Sequence, residues 1–250
     1  MTIDKITIKR RLQAAIREGK ELGGWSSFRK GDWLWALIQK SFRNYWERGT
    51  AEYFRSKYGT SDPEILVRKL ISVAARNAAI VGSLTGAAIS TDEIVTVFTA
   101  AEGGVGLPAN LAIAATALSA EAILLVRIQL QLVANIGKAY GVPLDPDDPE
   151  DILTILAFAL GGSAADAAGK AGMKLGGKIG GKTAKKIFSK ATLAWVKKVG
   201  QAVGINILQR SIVKYTVPVV SIGIGTGWNY FATRTVGRIA VKHFKGRITG

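Results

Sequence analysis

Residues 107–143 read LPANLAIAATALSAEAILLVRIQLQLVANIGKAYGVP, and the fold class follows from this stretch. Leu107-Pro108 suits a helix start, because proline's missing N–H and fixed φ cost nothing in the first turn. Gly141 suits a helix end, and Pro143 prevents continuation. The spacing therefore predicts a helix from Ala109 to Tyr140, 32 residues. At 1.5 Å per residue that is about 48 Å, enough to cross a bilayer if straight.

The same punctuation recurs on either side. Asp62-Pro63-Glu64 places a capping acid before proline and an apolar-periodic run through Leu66, Leu70 and Val73. Ser90-Thr91-Asp92-Glu93 has the form of a capping box, each end bonding the other's free amide. Asp148-Pro149-Glu150-Asp151 opens a helix through Ile152, Ile155 and Phe158. Further helices are expected over Thr192–Val213 and Val219–Phe244, and strand signals are weak throughout. The expected fold is all-α, a helical bundle with hydrophobic, glycine-rich helices. Residues 1–60 form a basic, aromatic-rich helical region, and residues 61–250 a helical domain containing a Gly/Lys-rich segment at 161–190.

Charge is segregated along the chain. Residues 1–60 carry +7, residues 61–160 carry −6, and residues 161–250 carry +15, with Asp166 their single acid. Such asymmetry points to an anionic partner met by the two ends, lipid headgroups or nucleic acid, against the plainer reading of a soluble protein with a basic surface. Mean hydropathy is +0.20 although 21% of residues are charged, so the uncharged stretches are strongly apolar. Two windows approach transmembrane character. Val105–Val126 holds one charge, Glu121, while Tyr215–Thr233 holds none but is interrupted by Pro218 and three glycines. Buried helices of a soluble bundle satisfy the same pattern. The first residues are charged and no apolar run follows Arg10-Arg11, which favours a cytoplasmic start over a secretory signal.

Two segments carry candidate membrane-binding residues. Trp25, Trp33, Trp35 and Trp46 fall among basic side chains such as Arg29, Lys40 and Arg48. Indole rings and long cationic chains both settle at the headgroup level, so these four are expected at a membrane interface unless the segment packs its rings inward. Further on, Gly172, Gly176 and Gly180 repeat every four residues beside Lys170, Lys174, Lys178, Lys182, Lys186 and Lys190. On a helix this gives a small-residue packing face, a glycine zipper, backed by a lysine stripe. Half of the seven lysines in that segment, at about 1 kcal/mol each, would contribute about 3–4 kcal/mol of attraction to an anionic leaflet. Glycine makes it a poor helix in water, so disorder until a partner is met competes with that reading.

Catalytic patterns are sparse. Gly176–Thr183 matches G-x-x-x-x-G-K-T in form, but no β-run precedes it and no carboxylate follows Asp166 to hold magnesium. The lone His243 supports neither a triad nor a zinc site, and the chain has no cysteine. The acids at 145–151 lack the alternation of a calcium loop and fit turn and cap chemistry. No catalytic residue, metal or cofactor is expected, and the chain is read as a non-enzyme. Glu121 and Arg127 lie six apart in an apolar helix, too far around it to pair, and their partners are sought near Arg76 and Asn77.

Gly103-Gly-Val-Gly-Leu-Pro108-Ala-Asn-Leu111, Arg127-Ile-Gln, Ala139-Tyr140-Gly141 and the acidic turn at 145–151 resemble the EcsC family. So do Val217-Pro218, the glycines at 223, 225 and 227, Asn229 and the stretch to Phe244. The resemblance spans about Glu64 to Phe244 and is a string of Gly, Pro and Tyr-Gly positions. The family often carries Asp where Asn110 stands, so no acidic role transfers there. It implies a helical, membrane-associated bacterial protein of a family named for its place beside an ABC exporter, with no settled activity. The expected place is the cytoplasmic side of the inner membrane, peripheral or partly inserted, and the expected partners are anionic lipids and a membrane complex such as an ABC exporter. Arg76, Asn110, Glu121, Arg127 and Asn229 are the buried polar candidates. A lipid-binding or accessory module at an anionic membrane is the leading expectation. A pore-forming effector and a non-specific nucleic-acid binder are the alternatives.

Overall fold

The computed structural model describes residues 5–22, 27, 30–34, 36–38, 49–88, 109–142, 144 and 218–249. Five helices are bounded there: α1 (Lys5–Glu21), α2 (Ala51–Tyr58), α3 (Pro63–Ala88), α4 (Ala109–Ala139) and α5 (Pro218–Thr249). Residues 32–34 and 36–38 are also helical. No strand occurs among the described residues, and the fold is all-α.

Local chemistry sets the helix ends where the sequence places them. Asp62 Oδ1 accepts the Glu64 amide at 2.7 Å, and Pro63 is the first residue of α3. Helix α4 stops on Gly141, whose φ of 74° only glycine adopts without strain. Val142 then donates to the Gly137 carbonyl at 2.9 Å and Gly141 to that of Lys138 at 3.0 Å, which closes the last turn. Pro218 does not interrupt a helix but starts one, since α5 begins there and runs past Phe244 to Thr249. The capping box at 90–93 and the helices expected from 148 and from 192 lie outside the described residues.

Helix α4 is the centre of the core. Between Ala120 and Ala139 only Gln131 is exposed. Ile123, Val126, Leu130, Val133 and Ile136 meet Ala15 and Ile16 of α1, Leu66, Val67 and Leu70 of α3, and Val236, Ala240 and Phe244 of α5 in one cluster. Each fully buried side chain of this kind stabilises the fold by about 1.5–3 kcal/mol. Ala120–Ala139 is also apolar enough to cross a membrane, with a hydropathy of 1.3, yet 72% of that window is buried within the fold.

The N-terminal region joins the same core, so residues on both sides of position 60 share it. Trp33, expected at a headgroup surface, has 0% exposure. The reason is its spacing. Trp33, Leu34, Leu37 and Ile38 recur at helical intervals, and all four are buried together.

Helix directions follow from the contacts. Glu121 meets Asn229, while Tyr140 and Lys245 both meet Glu64. Both helices therefore run the same way, α4 rising about 28 Å and α5 about 24 Å between those levels. Helix α3 runs against them, with Ile71 beside Gly237.

The α3–α5 contact is close enough to require glycine. A Cβ at Gly237 would lie 2.6 Å from Ile71 Cγ1, whereas one at Gly227 would meet nothing within 4 Å. Gly237→Ala is expected to destabilise the protein by about 1–3 kcal/mol through overpacking. Gly227→Ala is expected to stabilise it by about 0.5–1 kcal/mol through helix propensity alone. Urea midpoints at unchanged slope measure both; equal shifts would show that α3 yields to the added methyl.

Candidate functional site

A helix surrounded by others has to satisfy its polar side chains from its neighbours. Glu121 and Arg127 are six residues apart on α4, about 240° around its axis, so they face different helices. Towards α5, Asn229 Nδ2 donates to Glu121 Oε1 at 2.8 Å, with the two residues 4% and 7% exposed. Towards α1, Arg127 Nη2 donates to Glu18 Oε1 in a partly buried ion pair. This corrects the search near Arg76 and Asn77. Arg76 is exposed, and its Nη2 donates to Ser72 Oγ of its own helix at 3.0 Å. Three of the five buried polar candidates thus lie in buried or half-buried pairs. Asn110 stands in the first turn of α4, and its side chain lies outside the described residues.

One turn beyond Asn229, Thr233 is fully buried, and its Oγ1 has no hydrogen-bond partner among the described residues. Asn229, Thr233, Val236, Ala240 and Phe244 form the inward stripe of α5 at steps of three and four.

A second polar cluster joins three helix ends. Glu64 Oε1 accepts from Tyr140 Oη at 2.8 Å and pairs with Lys245 Nζ at 2.8 Å. Lys245 first, and then the Tyr140 hydroxyl, hold the Glu64 carboxyl below its ordinary range. Burial and the facing carboxylate push the Tyr140 hydroxyl well above its own. Nearby, Lys138 Nζ donates to the Gly49 carbonyl at 3.0 Å, and burial lowers its pKa. The Lys138 contact ties the chain before α2 to the end of α4.

The remaining sequence candidates divide sharply. Trp33 is in the core. Trp25, Trp35, Trp46, the lysines at 170–190 and Gly172, Gly176 and Gly180 lie outside the described residues. What sequence reasoning missed is the outer side of α5. Trp228 and Phe231 are 51% and 68% exposed, and Arg238 and Lys242 are exposed beyond them. Tyr230 meets Phe231 edge to face at 5.8 Å, and the Arg234 guanidinium lies 5.5 Å from the Tyr230 ring centroid. The signal was available as the 3,4 spacing of 228, 231, 235, 238 and 242. Among the described residues no three His, Asp or Glu side chains gather to hold a metal ion. The chemistry on offer is polar contact within the bundle and, outside it, attraction for anions and apolar surface.

Two expectations follow from these groups. Asn229→Leu withdraws the donor that faces the buried Glu121 and should cost about 1–3 kcal/mol, whereas Thr233→Val removes an unpaired buried hydroxyl and should be neutral or stabilising. Denaturant titration separates the two, and a costly Thr233→Val would mean that the hydroxyl has a partner. Glu64 has its folded pKa below the ordinary 4.5. Its contribution is therefore complete above about pH 4.5 and disappears as the pH falls through the lower folded value. Glu64→Gln should accordingly be less stable than the parent at pH 7, and the gap should close in acid. A gap that stayed constant with pH would remove the carboxylate from the account.

The EcsC protein family profile matches residues 100–249, which include all of α4 and α5 and hence both Glu121 and Asn229. The matched segment starts later than the resemblance read from Glu64 and ends beyond Phe244. No curated protein and no solved structure matches the chain. The profile match covers more than half of the 250 residues, and on that ground, with the helical fold it accompanies, the chain belongs to the EcsC protein family.

Proposed function

We propose that this chain is a non-catalytic, membrane-associated helical protein that binds an anionic lipid surface. It acts there as a lipid-binding module or as an accessory to a larger membrane complex such as an ABC exporter. The observation that carries this reading is the segregation of charge: residues 161–250 hold 16 basic groups and one acid. The described part of that segment, α5, holds Arg234, Arg238, Lys242, Lys245 and Arg247 with no acid on the helix itself. Near an anionic leaflet each such side chain contributes about 1 kcal/mol, within a screening length of about 8 Å at physiological salt. Contact, not long-range steering, is what the arrangement favours. The proposed setting is the cytoplasmic face of a bacterial inner membrane, whose anionic leaflet suits the basic ends of the chain.

Flotation of the purified protein tests this, using phosphatidylcholine vesicles with and without phosphatidylglycerol, at low and physiological salt, with a dye inside. The expected result is binding that needs phosphatidylglycerol, weakens with salt and leaves the dye enclosed. Protein left at the bottom of the gradient at physiological salt would remove the proposal. Binding with dye release would replace it by a bilayer-disrupting activity.

A further inference from the structure

Helix α5 has a second stripe, turned away from the bundle. Trp228, Phe231, Thr235, Arg238, Lys242 and Lys245 are all exposed and follow at steps of three and four residues. They therefore occupy one side of the helix, within an arc of about 100°. The stripe is sorted along its length. Two large rings stand at one end, a threonine follows, and the bases come last. Lys245 is engaged with Glu64, so Arg238 and Lys242 are the cations that the stripe offers outward.

We propose that this stripe is the face by which the protein docks on an anionic lipid surface. Trp228 and Phe231 seat at the boundary between headgroups and acyl chains, and Arg238 and Lys242 sit among lipid phosphates. The inference rests on the membrane reading above and adds to it the element, the face and the direction of tilt. Phe231 and Arg238 are two turns apart, about 10 Å along the axis. Amphipathic helices bury their apolar side about 5–10 Å into that same boundary, so a tilt of α5 places rings and cations each in their own layer. A membrane is layered by depth, and a stripe sorted into apolar and cationic ends matches layers. A single nucleic-acid strand instead presents phosphate and base at every step and favours rings interleaved with cations. A second copy of the chain is disfavoured by the net charge of +16.

The test compares two pairs of substitutions that change charge equally. Arg238→Gln with Lys242→Gln removes two bases from the stripe. Arg10→Gln with Arg17→Gln removes two exposed bases from α1, which packs against α4. With vesicles of equal parts phosphatidylcholine and phosphatidylglycerol, the first pair should weaken partitioning about thirty-fold, at about fivefold per basic side chain in contact. The second should weaken it by less than about threefold, because side chains beyond a screening length contribute little. The absence of cysteine lets Phe231→Cys carry a single environment-sensitive fluorophore. Its emission should shift to the blue on vesicles containing phosphatidylglycerol. Equal losses from the two pairs, or unshifted emission from protein that floats, would overturn this face while leaving membrane binding intact. Parent protein that does not float would remove the membrane reading and this inference together. Loss of single-stranded oligonucleotide binding in the Arg238/Lys242 pair, without flotation of the parent, would reassign the stripe to nucleic acid.

Discussion

The hydrogen bond between Glu121 and Asn229 and the ion pair between Arg127 and Glu18 fix how the bundle is assembled. From Ala120 to Ala139 helix α4 is buried on nearly every side, and a carboxylate or guanidinium inside such a helix is tolerable only where a neighbour brings a partner. Glu121 therefore dictates that α5 lie on one side of α4 with Asn229 at its level, and Arg127 dictates that α1 lie on another. Apolar contacts alone would permit many sliding arrangements of Ala-rich helices. The two polar pairs select one.

Once Asn229 faces inward, the rest of α5 has no freedom of rotation. The helical repeat turns Thr233, Val236, Ala240 and Phe244 to the core, sets Gly237 against Ile71, and delivers Lys245 to Glu64 at the far end. The same repeat leaves Trp228, Phe231, Arg238 and Lys242 outside. The composition of the outer face is thus tied to the register of the inner one. Because the inner stripe holds the register, residues of the outer stripe are free to be chosen for what they meet in solution or at a surface.

Much of this was legible where the chemistry is local. Asp62-Pro63 and Gly141 mark helix ends by themselves, because a cap is satisfied within a few residues, and α4 ends where its glycine says. The partners of Glu121 and Arg127 were not legible, since they lie 108 and 109 positions away and leave no trace in local spacing. Trp33 was misplaced because tryptophan beside basic residues fits a membrane interface by composition, while its spacing with Leu34, Leu37 and Ile38 fits a core. The outer stripe of α5 was hidden by averaging. A hydropathy window sums both faces of a helix, and here one face is buried in the bundle while the other is exposed. The same averaging bears on Ala120–Ala139, whose apolar character is mostly accounted for by burial against other helices of the chain.

The family match and the folded unit have different limits. The profile begins at residue 100, yet the matched helices depend on side chains that precede it. Glu18 answers Arg127, Glu64 joins Tyr140 to Lys245, Ile71 packs on Gly237, and Trp33, Leu34, Leu37 and Ile38 complete the core around α4. The described parts of α1, residues 33–34 and 37–38, and α3 therefore share the core around α4. Among the contacts described, it is they that supply carboxylates to Arg127 and Lys245 in the otherwise cationic matched helices. That division of charge has a physical consequence for α5. Lys245 is paired with Glu64 from an earlier helix, so on the outer stripe the attraction left for an anionic surface rests on Arg238 and Lys242, two turns and more beyond the exposed rings.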